Sequence, residues 1–139
     1  MASKKPKADK GAKAVAPAQW PVQLDRINPG AEFLKGKELV LAADCTGFAF
    51  AAFHDEFLKG KALAVTCPTE GADQWSVERL SAILKSARPR MITVAAMDTP
   101  CCNGLLDTAS AAQKAAGTKI PMRVVRISTK GEIVSEMEA

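Results

Sequence analysis

Residues 38–47 read Glu-Leu-Val-Leu-Ala-Ala-Asp-Cys-Thr-Gly, an apolar run that leads straight into a turn carrying Cys45. Small or branched apolar residues in succession, bounded by turn residues, are typical of a strand that is buried on both faces. Such strands belong to parallel sheets, because helices cover both faces of those sheets. The stretch therefore predicts a buried parallel strand over residues 38–43, with a cysteine just past its carboxyl end.

The same pattern precedes every other cysteine of the chain. One apolar run of strand length ends shortly before Cys67, and another ends shortly before the adjacent pair Cys101 and Cys102. If these runs are neighbouring strands of one parallel sheet, all four cysteines lie at the edge where open α/β sheets bind their ligands. Their separation in sequence hides this arrangement, because a whole β-α unit stands between one strand and the next.

Helical patterns separate the predicted strands. We expect helices over residues 48–58, 75–87 and 103–117, since apolar side chains recur at helical spacing and Gly60 and Gly117 are helix-ending residues. The order β-α-β-α-β-α-β predicts a Rossmann-like α/β fold of three layers, with a mostly parallel four-stranded sheet and helices on both faces. The remaining strands are expected at residues 61–66, 91–96 and 124–127, with residues 132–134 as a short hairpin partner.

Charge and composition divide the chain into a tail and one domain. Residues 1–19 hold five lysines and one aspartate, whereas residues 20–139 hold fourteen basic and fourteen acidic side chains. We expect residues 1–19 to form a disordered tail rich in Lys, Ala and Pro, either a solubilising segment or a docking arm for an acidic partner. Residues 20–139 are expected to form the α/β domain, with Trp20 anchoring an arm over residues 20–37. Since the net charge of +4 belongs to the tail, we expect no nucleic-acid-binding face on the domain.

The sequence gives no sign of a membrane or secretory segment. No apolar run approaches the about 20 residues that a membrane span needs, and no apolar segment follows the N-terminal lysines. We therefore expect a cytoplasmic protein without membrane contact. In that reducing compartment, cysteines more often serve metals or redox chemistry than structural disulfides.

Four explanations of the cysteines compete. They are buried hydrophobic residues, disulfide partners, ligands of a structural zinc ion, or ligands of an iron–sulfur cluster. Four thiols at one sheet edge argue against the first explanation. The reducing compartment and the strain of a bridge between adjacent cysteines argue against the second. Zinc suits four thiolates, yet structural zinc sites usually draw on paired Cys-x₂₋₄-Cys motifs, which this sequence lacks.

An iron–sulfur cluster fits the pattern better, because it is several ångströms across and can take its ligands from separate loops. Helices expected to begin near Gly47 and Asn103 aim N–H groups and positive dipole ends at its negative charge. The same field is expected to lower the pKa values of the thiols, as ligation requires. The residues thus favour a cluster and leave zinc as the main rival, the ligands in either case being Cys45, Cys67, Cys101 and Cys102.

His54 and Asp98 are the other candidates for chemistry. His54, the single histidine, lies on the first predicted helix and shares a face with Phe50 and Phe57, so a hydrogen-bonded boundary position is expected, with ligation or proton relay as the alternative. Asp98, like Asp44, precedes a cysteine and is expected to cap a helix or bond within its loop. The sequence has no Gly-x-Gly-x-x-Gly or Walker-type loop, so nucleotide binding is not predicted.

Several short motifs carry a resemblance to a known family. They are Gln19-Trp-Pro-Val-Gln-Leu24, Ala42-Ala-Asp-Cys45, Phe53-His54, Phe57-Leu-Lys-Gly-Lys61, Cys67-Pro68 and Pro100-Cys-Cys102. In this order they resemble the C-terminal cluster-binding domain of a ferredoxin-like iron–sulfur protein family of anaerobic bacteria and archaea, over nearly all of residues 19–134. The resemblance implies that all four cysteines hold a cluster. A lysine-rich tail stands here in place of the two-cluster ferredoxin segment of that family, and departures from its pattern lie beside the cysteines at Asn103 and Thr69-Glu-Gly71.

Together these observations predict an iron–sulfur electron-transfer protein, with a [4Fe–4S] cluster favoured and an unusual cluster as the alternative. Its partner is expected to be a ferredoxin or a redox enzyme. One other reading is a redox enzyme whose cluster has an open iron site, with His54 or Asp98 as proton donor. Another is a cluster or sulfur carrier or a redox sensor, and a homodimer that shares one cluster between two chains is a further alternative.

Overall fold

Four parallel strands and one antiparallel strand form a single sheet in the computed structural model, which describes residues 19–67 and 73–139. The spatial order of the strands is β2-β1-β3-β4-β5. The first four strands are parallel, and β5 runs antiparallel to β4. Their bounds are Glu38–Ala43 for β1, Ala62–Thr66 for β2, Met91–Met97 for β3, Met122–Ile127 for β4 and Ile133–Glu138 for β5.

The expected number of four strands is thus wrong by one. Residues 132–134 were expected as a short hairpin partner, but β5 continues to Glu138 and completes a fifth strand. Its side chains are mostly exposed, because β5 forms the outer edge of the sheet and buries little apolar surface. A strand of this kind lacks the apolar run that reveals the four buried strands.

Helices cover both faces of the sheet, which agrees with the three-layer expectation. The connection from β1 to β2 runs in one direction across the sheet, whereas those from β2 to β3 and from β3 to β4 run in the other. Because such crossovers are right-handed, the two directions place their helices on opposite faces. The helices are α1 at Thr46–Ala49, a π-helical turn at His54–Leu58, α2 at Gln74–Ala87 and α3 at Gly104–Ala116.

The helix expected over residues 48–58 is broken in two. Phe50 has an extended backbone, with φ −111° and ψ 110°, and separates α1 from the π-helical turn. The break lets three phenylalanines pack together, with ring centroids 5.3 Å apart for Phe53 and Phe57 and 5.9 Å apart for Phe50 and Phe57. Phe53 and Phe57 are buried in the core, so the predicted direction of these side chains is confirmed although the regular helix is not.

The arm before β1 is fixed by aliphatic side chains rather than by Trp20. The expectation that Trp20 anchors this arm is wrong, since its side chain is 75% exposed. Gln19 instead bonds the backbone of Leu63 in both directions, at 2.9 and 2.7 Å, which ties the arm to β2. The arm then buries three side chains in the core, those of Leu24, Ile27 and Leu34. The expected tail falls outside the described residues except for Gln19.

The sequence contains the residues that begin α2 and end α3. Asp73 caps α2 by accepting the N–H of Ser76 at 2.9 Å, and α3 ends at Gly117 in the left-handed conformation. Among the described residues, no helix has the length and apolar character needed to cross a membrane.

Candidate functional site

All four cysteines lie at the carboxyl edge of the sheet. Cys45 and Cys67 follow β1 and β2, and a 3₁₀ turn at Pro100–Cys102 places the adjacent pair after β3. These three strands are neighbours, with β1 in the middle, so their carboxyl ends meet at one place. The Cys45 thiol is close enough to the thiols of Cys67 and Cys102 for their charges to interact. The structure therefore places at one edge of the sheet residues that the sequence separates by whole β-α units.

The turn that carries Cys45 is fixed by hydrogen bonds to the ends of β1 and β2. The Asp44 N–H donates to the carbonyl of Thr66 at the end of β2, at 3.0 Å. Thr46 is fully buried, and its hydroxyl donates to the carbonyl of Ala43 at 2.6 Å. The Cys45 carbonyl accepts the first hydrogen bonds of α1. The backbone around Cys45 is thus held in place, while its side chain is exposed.

The adjacent cysteines differ in environment. Cys102 is 5% exposed and belongs to the hydrophobic core, whereas Cys101 is exposed and its sulfur lies 3.1 Å from the Thr99 hydroxyl oxygen. The turn closes through the Cys102 N–H, which donates to the Thr99 carbonyl at 3.1 Å, and α3 begins at Gly104. One thiol of the pair is therefore part of the interior, and the other faces solvent.

The electrostatics of the thiols differ from the expectation. Partial burial raises the pKa of the Cys45 thiol, and its hydrogen bond to the Asp44 carboxylate at 3.6 Å raises that pKa further. Burial likewise raises the pKa of Cys102. The expectation that helix ends lower the thiol pKa values is wrong for these two residues, because burial is the largest effect on both pKa values and the Asp44 carboxylate adds to it at Cys45. A metal ion lowers the pKa of a thiol that coordinates it, so the raised pKa values describe these two thiols without a metal.

The donor set itself is sulfur-rich. Thiolates are soft ligands that select iron–sulfur clusters, zinc and Cu(I) over hard cations such as Mg²⁺. Four cysteines at one edge fit a soft-metal group in their chemistry. Across residues 19–67 and 73–139, no three side chains of the His, Cys, Asp and Glu types are grouped in a manner that could hold a metal ion.

A groove of about 500 Å³ opens beside Cys67 and was not predicted. It brings together parts of the chain that are far apart in sequence: the arm before β1, the ends of β1 and β2, and the start of α2. Its polar lining is acidic, and Trp75 forms an apolar wall. The carboxylates that line it are those of Asp25, Asp44 and Asp73. The sequence marks Asp44 and Asp73 as turn or cap residues and gives no signal for Asp25.

His54 and Asp98 are both exposed. The His54 ring lies edge-on to Phe53, with centroids 6.3 Å apart, at the start of the π-helical turn. Its exposure differs from the hydrogen-bonded boundary position that was expected. Asp98 follows β3 at the cysteine edge, and its N–H donates to the Ile127 carbonyl at 2.7 Å. Asp98 thus lies at the same edge as the cysteines.

Comparison with known proteins agrees with this architecture. A family model described as a Rossmann-like domain matches residues 31–139. An uncharacterized protein of Archaeoglobus fulgidus is 31% identical to this chain over 112 residues, which make up 79% of each of the two chains. Residues 31–139, which the family model matches, contain all five strands and all four cysteines. The chain belongs to the Rossmann-like domain family.

Proposed function

We propose that this protein is an iron–sulfur electron-transfer protein whose cluster is held by Cys45, Cys67, Cys101 and Cys102. One observation carries the proposal: three cysteine-bearing loops follow three adjacent parallel strands and meet at one edge of the sheet. The resemblance of the cysteine motifs to a ferredoxin-like iron–sulfur family supports the same ligand set. When bound, a cluster of the favoured [4Fe–4S] type supplies one-electron chemistry.

The surroundings of the cysteines suit electron transfer at a protein surface. Three of the four thiols are exposed, so a group that they hold lies near solvent and near a docked partner. Cys102 is buried and fixes the depth of the site, because its side chain is packed in the core. The bonds of Thr46 and Asp44 hold the first loop in one conformation, which limits the rearrangement that accompanies a change of charge.

Anaerobic purification followed by iron and sulfide analysis tests the proposal. We expect iron and acid-labile sulfide in equal amounts, and a visible spectrum that bleaches on reduction with dithionite. A colourless protein that holds one zinc ion per chain contradicts the proposal. Replacement of each cysteine singly by serine is then expected to change the spectrum or the iron content in all four variants, with Ser86→Ala as a surface control that leaves both unchanged.

A redox enzyme is the second candidate, and the groove beside Cys67 favours it. A catalyst needs space for a substrate next to its cofactor, and this groove has that position and acidic side chains. In an enzyme with an open iron site, three cysteines suffice as ligands and a small molecule can occupy the fourth position. Addition of cyanide to the reduced protein distinguishes the two candidates. A shift of the electron paramagnetic resonance signal favours the enzyme, and an unchanged signal favours the transfer protein.

A further inference from the structure

Charge is separated between the two edges of the sheet. The loops that lead from β1, β2 and β3 into the following helices contain acidic residues and no Lys or Arg. Asp44 directly precedes Cys45, Asp98 lies three residues before Cys101, and Asp107 lies in the first turn of α3. Among the described residues, none of these three carboxylates forms an ion pair. The cysteine edge therefore carries more acidic than basic side chains, although Lys130 in the turn between β4 and β5 places one cation at the same edge. Bound thiolates add to the negative charge.

The opposite edge is richer in basic side chains, although Glu38, the first residue of β1, pairs there with Lys61 and Arg123. Each of the four parallel strands is preceded by a loop that contains Lys or Arg and no acidic residue. These loops end at the amino edge of the sheet, away from the cysteines. Their cations are Lys35 and Lys37 before β1, Lys59 and Lys61 before β2, Arg88 and Arg90 before β3, and Lys119 before β4. The zero net charge of residues 20–139 thus conceals an excess of acidic side chains at one edge of the sheet and of basic side chains at the other.

Phe48 adds an apolar contact to the acidic edge. It belongs to α1, three residues after Cys45, and its N–H donates to the Cys45 carbonyl at 3.1 Å. Its side chain is 94% exposed, although two other phenylalanines in the same connection, Phe53 and Phe57, are buried. An exposed aromatic ring beside a functional group is the kind of residue on which interfaces concentrate their binding energy.

We propose that the cysteine edge, with Phe48 at its centre and carboxylates around it, docks a redox protein whose own cofactor-exposing face is basic. This proposal rests on the proposed electron-transfer function and names the partner of the same site. Charge complementarity selects the occupant: a basic face pairs with Asp44, Asp98 and Asp107, and the basic amino edge turns away from it, which orients the approach. An acidic ferredoxin is repelled at this edge, so the expected ferredoxin partner is replaced by a basic one.

Stopped-flow reduction of two probe proteins tests the surface. Ferric mitochondrial cytochrome c, whose haem edge is ringed by lysines, is one probe, and an acidic plant-type ferredoxin is the other. The loaded protein, reduced with dithionite and freed of excess reductant, gives one electron to one ferric haem, so the protein is oxidised as the haem iron becomes ferrous. We expect the second-order rate constant with cytochrome c to fall at least about tenfold as ionic strength rises from about 10 to 200 mM.

Matched variants locate the surface. Phe48→Ala is expected to slow the reduction of cytochrome c about tenfold and leave the visible spectrum unchanged, whereas Met137→Ala, which removes a 54% exposed side chain from β5, leaves the rate unchanged. The double variant Asp98→Asn with Asp107→Asn is expected to reduce the salt dependence. Glu32→Gln, which removes a carboxylate before the basic edge, is expected to leave it intact.

The outcomes separate this proposal from the function on which it rests. If the loaded protein keeps its spectrum but reduces both probes at equal, salt-independent rates, the docking surface is wrong and the cluster stands. If no cluster loads, the proposed function fails, and the surface is tested by titrating metal-free protein with cytochrome c at low salt by nuclear magnetic resonance. Broadening centred on Phe48 supports the surface in that case, and its absence overturns it.

Discussion

Replacing Gly131 by alanine is expected to lower the stability of the protein and to shift the loop that carries Cys45. Gly131 lies between β4 and β5 with φ +86°, a left-handed conformation that favours glycine. A Cβ atom at this position would lie 2.8 Å from the carbonyl oxygen of Ala49, the last residue of α1. Since α1 directly follows Cys45, a shift of Ala49 is passed to the loop that carries this cysteine.

The size of the effect follows from two costs. A non-glycine residue in the left-handed conformation costs about 1–2 kcal/mol. The contact at 2.8 Å must open to at least 3.4 Å, a displacement of about 0.6 Å against backbone, and overpacking of this kind adds about 1–3 kcal/mol. Gly131→Ala is therefore expected to lower the free energy of unfolding by about 2–5 kcal/mol.

Two other glycines are matched controls. Gly60 and Gly117 have φ +72° and +70°, but a Cβ atom at either position meets nothing within 4 Å. Their alanine variants are expected to lose only about 1–2 kcal/mol of the free energy of unfolding, from the left-handed conformation alone. Urea denaturation of the three variants measures the free energies of unfolding, and iron analysis measures cluster loading. Equal destabilisation in all three variants, with equal loading, refutes the close approach between the β4–β5 turn and α1.

Three further substitutions test individual contacts, each with a control at the same position. Asp73→Ala removes the cap of α2 and is expected to destabilise by about 1 kcal/mol at pH 7, whereas Asp73→Asn keeps most of that stability. The bonds from Ser76 lower the pKa of Asp73, so the part of the capping contribution that depends on its charge is complete above the unfolded pKa of about 3.9 and is lost as pH falls through the lower folded pKa. A difference between wild type and Asp73→Ala that does not shrink as pH falls below about 3.9 contradicts this account. Leu84→Ala, at a fully buried position, is expected to cost about 2–5 kcal/mol in urea denaturation, and Leu84→Met less than about 1.5 kcal/mol, so equal costs would argue against tight packing. Thr93→Val removes the 2.6 Å bond to the Glu38 carboxylate and is expected to cost about 1.5–3 kcal/mol, whereas Thr93→Ser retains the donor, and a thermal melt unchanged by Val shows that the bond is unimportant.

The buried strands could be predicted because their sequence pattern has one physical cause. A strand covered by helices on both faces needs apolar residues in succession, and the run 39–43 shows this directly. At the edges of the domain that cause is absent. Strand β5 is mostly exposed, and the side chain of Trp20 is 75% exposed although it is apolar. A prediction based on apolar character alone therefore buried Trp20, which is exposed, and recognised only the start of β5.

The local break in the first connection and the groove lay beyond sequence reasoning for a different reason. The spacing of Phe50, Phe53 and Phe57 suits a helix, and the same three rings also pack when the helix is interrupted at Phe50. The choice depends on the shape of the sheet beneath them. The groove beside Cys67 depends on a contact between the arm and the start of α2, for which no local pattern exists.

The separation of charge between the two edges, in contrast, could have been read from the sequence by a different count. A sum over residues 20–139 discards position and gives zero, so it pointed to no charged face. In a β-α alternation, however, loops that follow strands all lie at one edge and loops that follow helices all lie at the other. Counting the two kinds of loop separately places only acids in the three loops that lead from a strand into a helix and only Lys and Arg in the four loops that precede parallel strands, as in residues 98–103 and 88–90. The turn between β4 and β5 is the exception, since it holds both Lys130 and Glu132. Once the β-α alternation is established, the position of each loop in the chain shows at which edge of the sheet its charges lie. The edge with the excess of acids is the one that carries the cysteines.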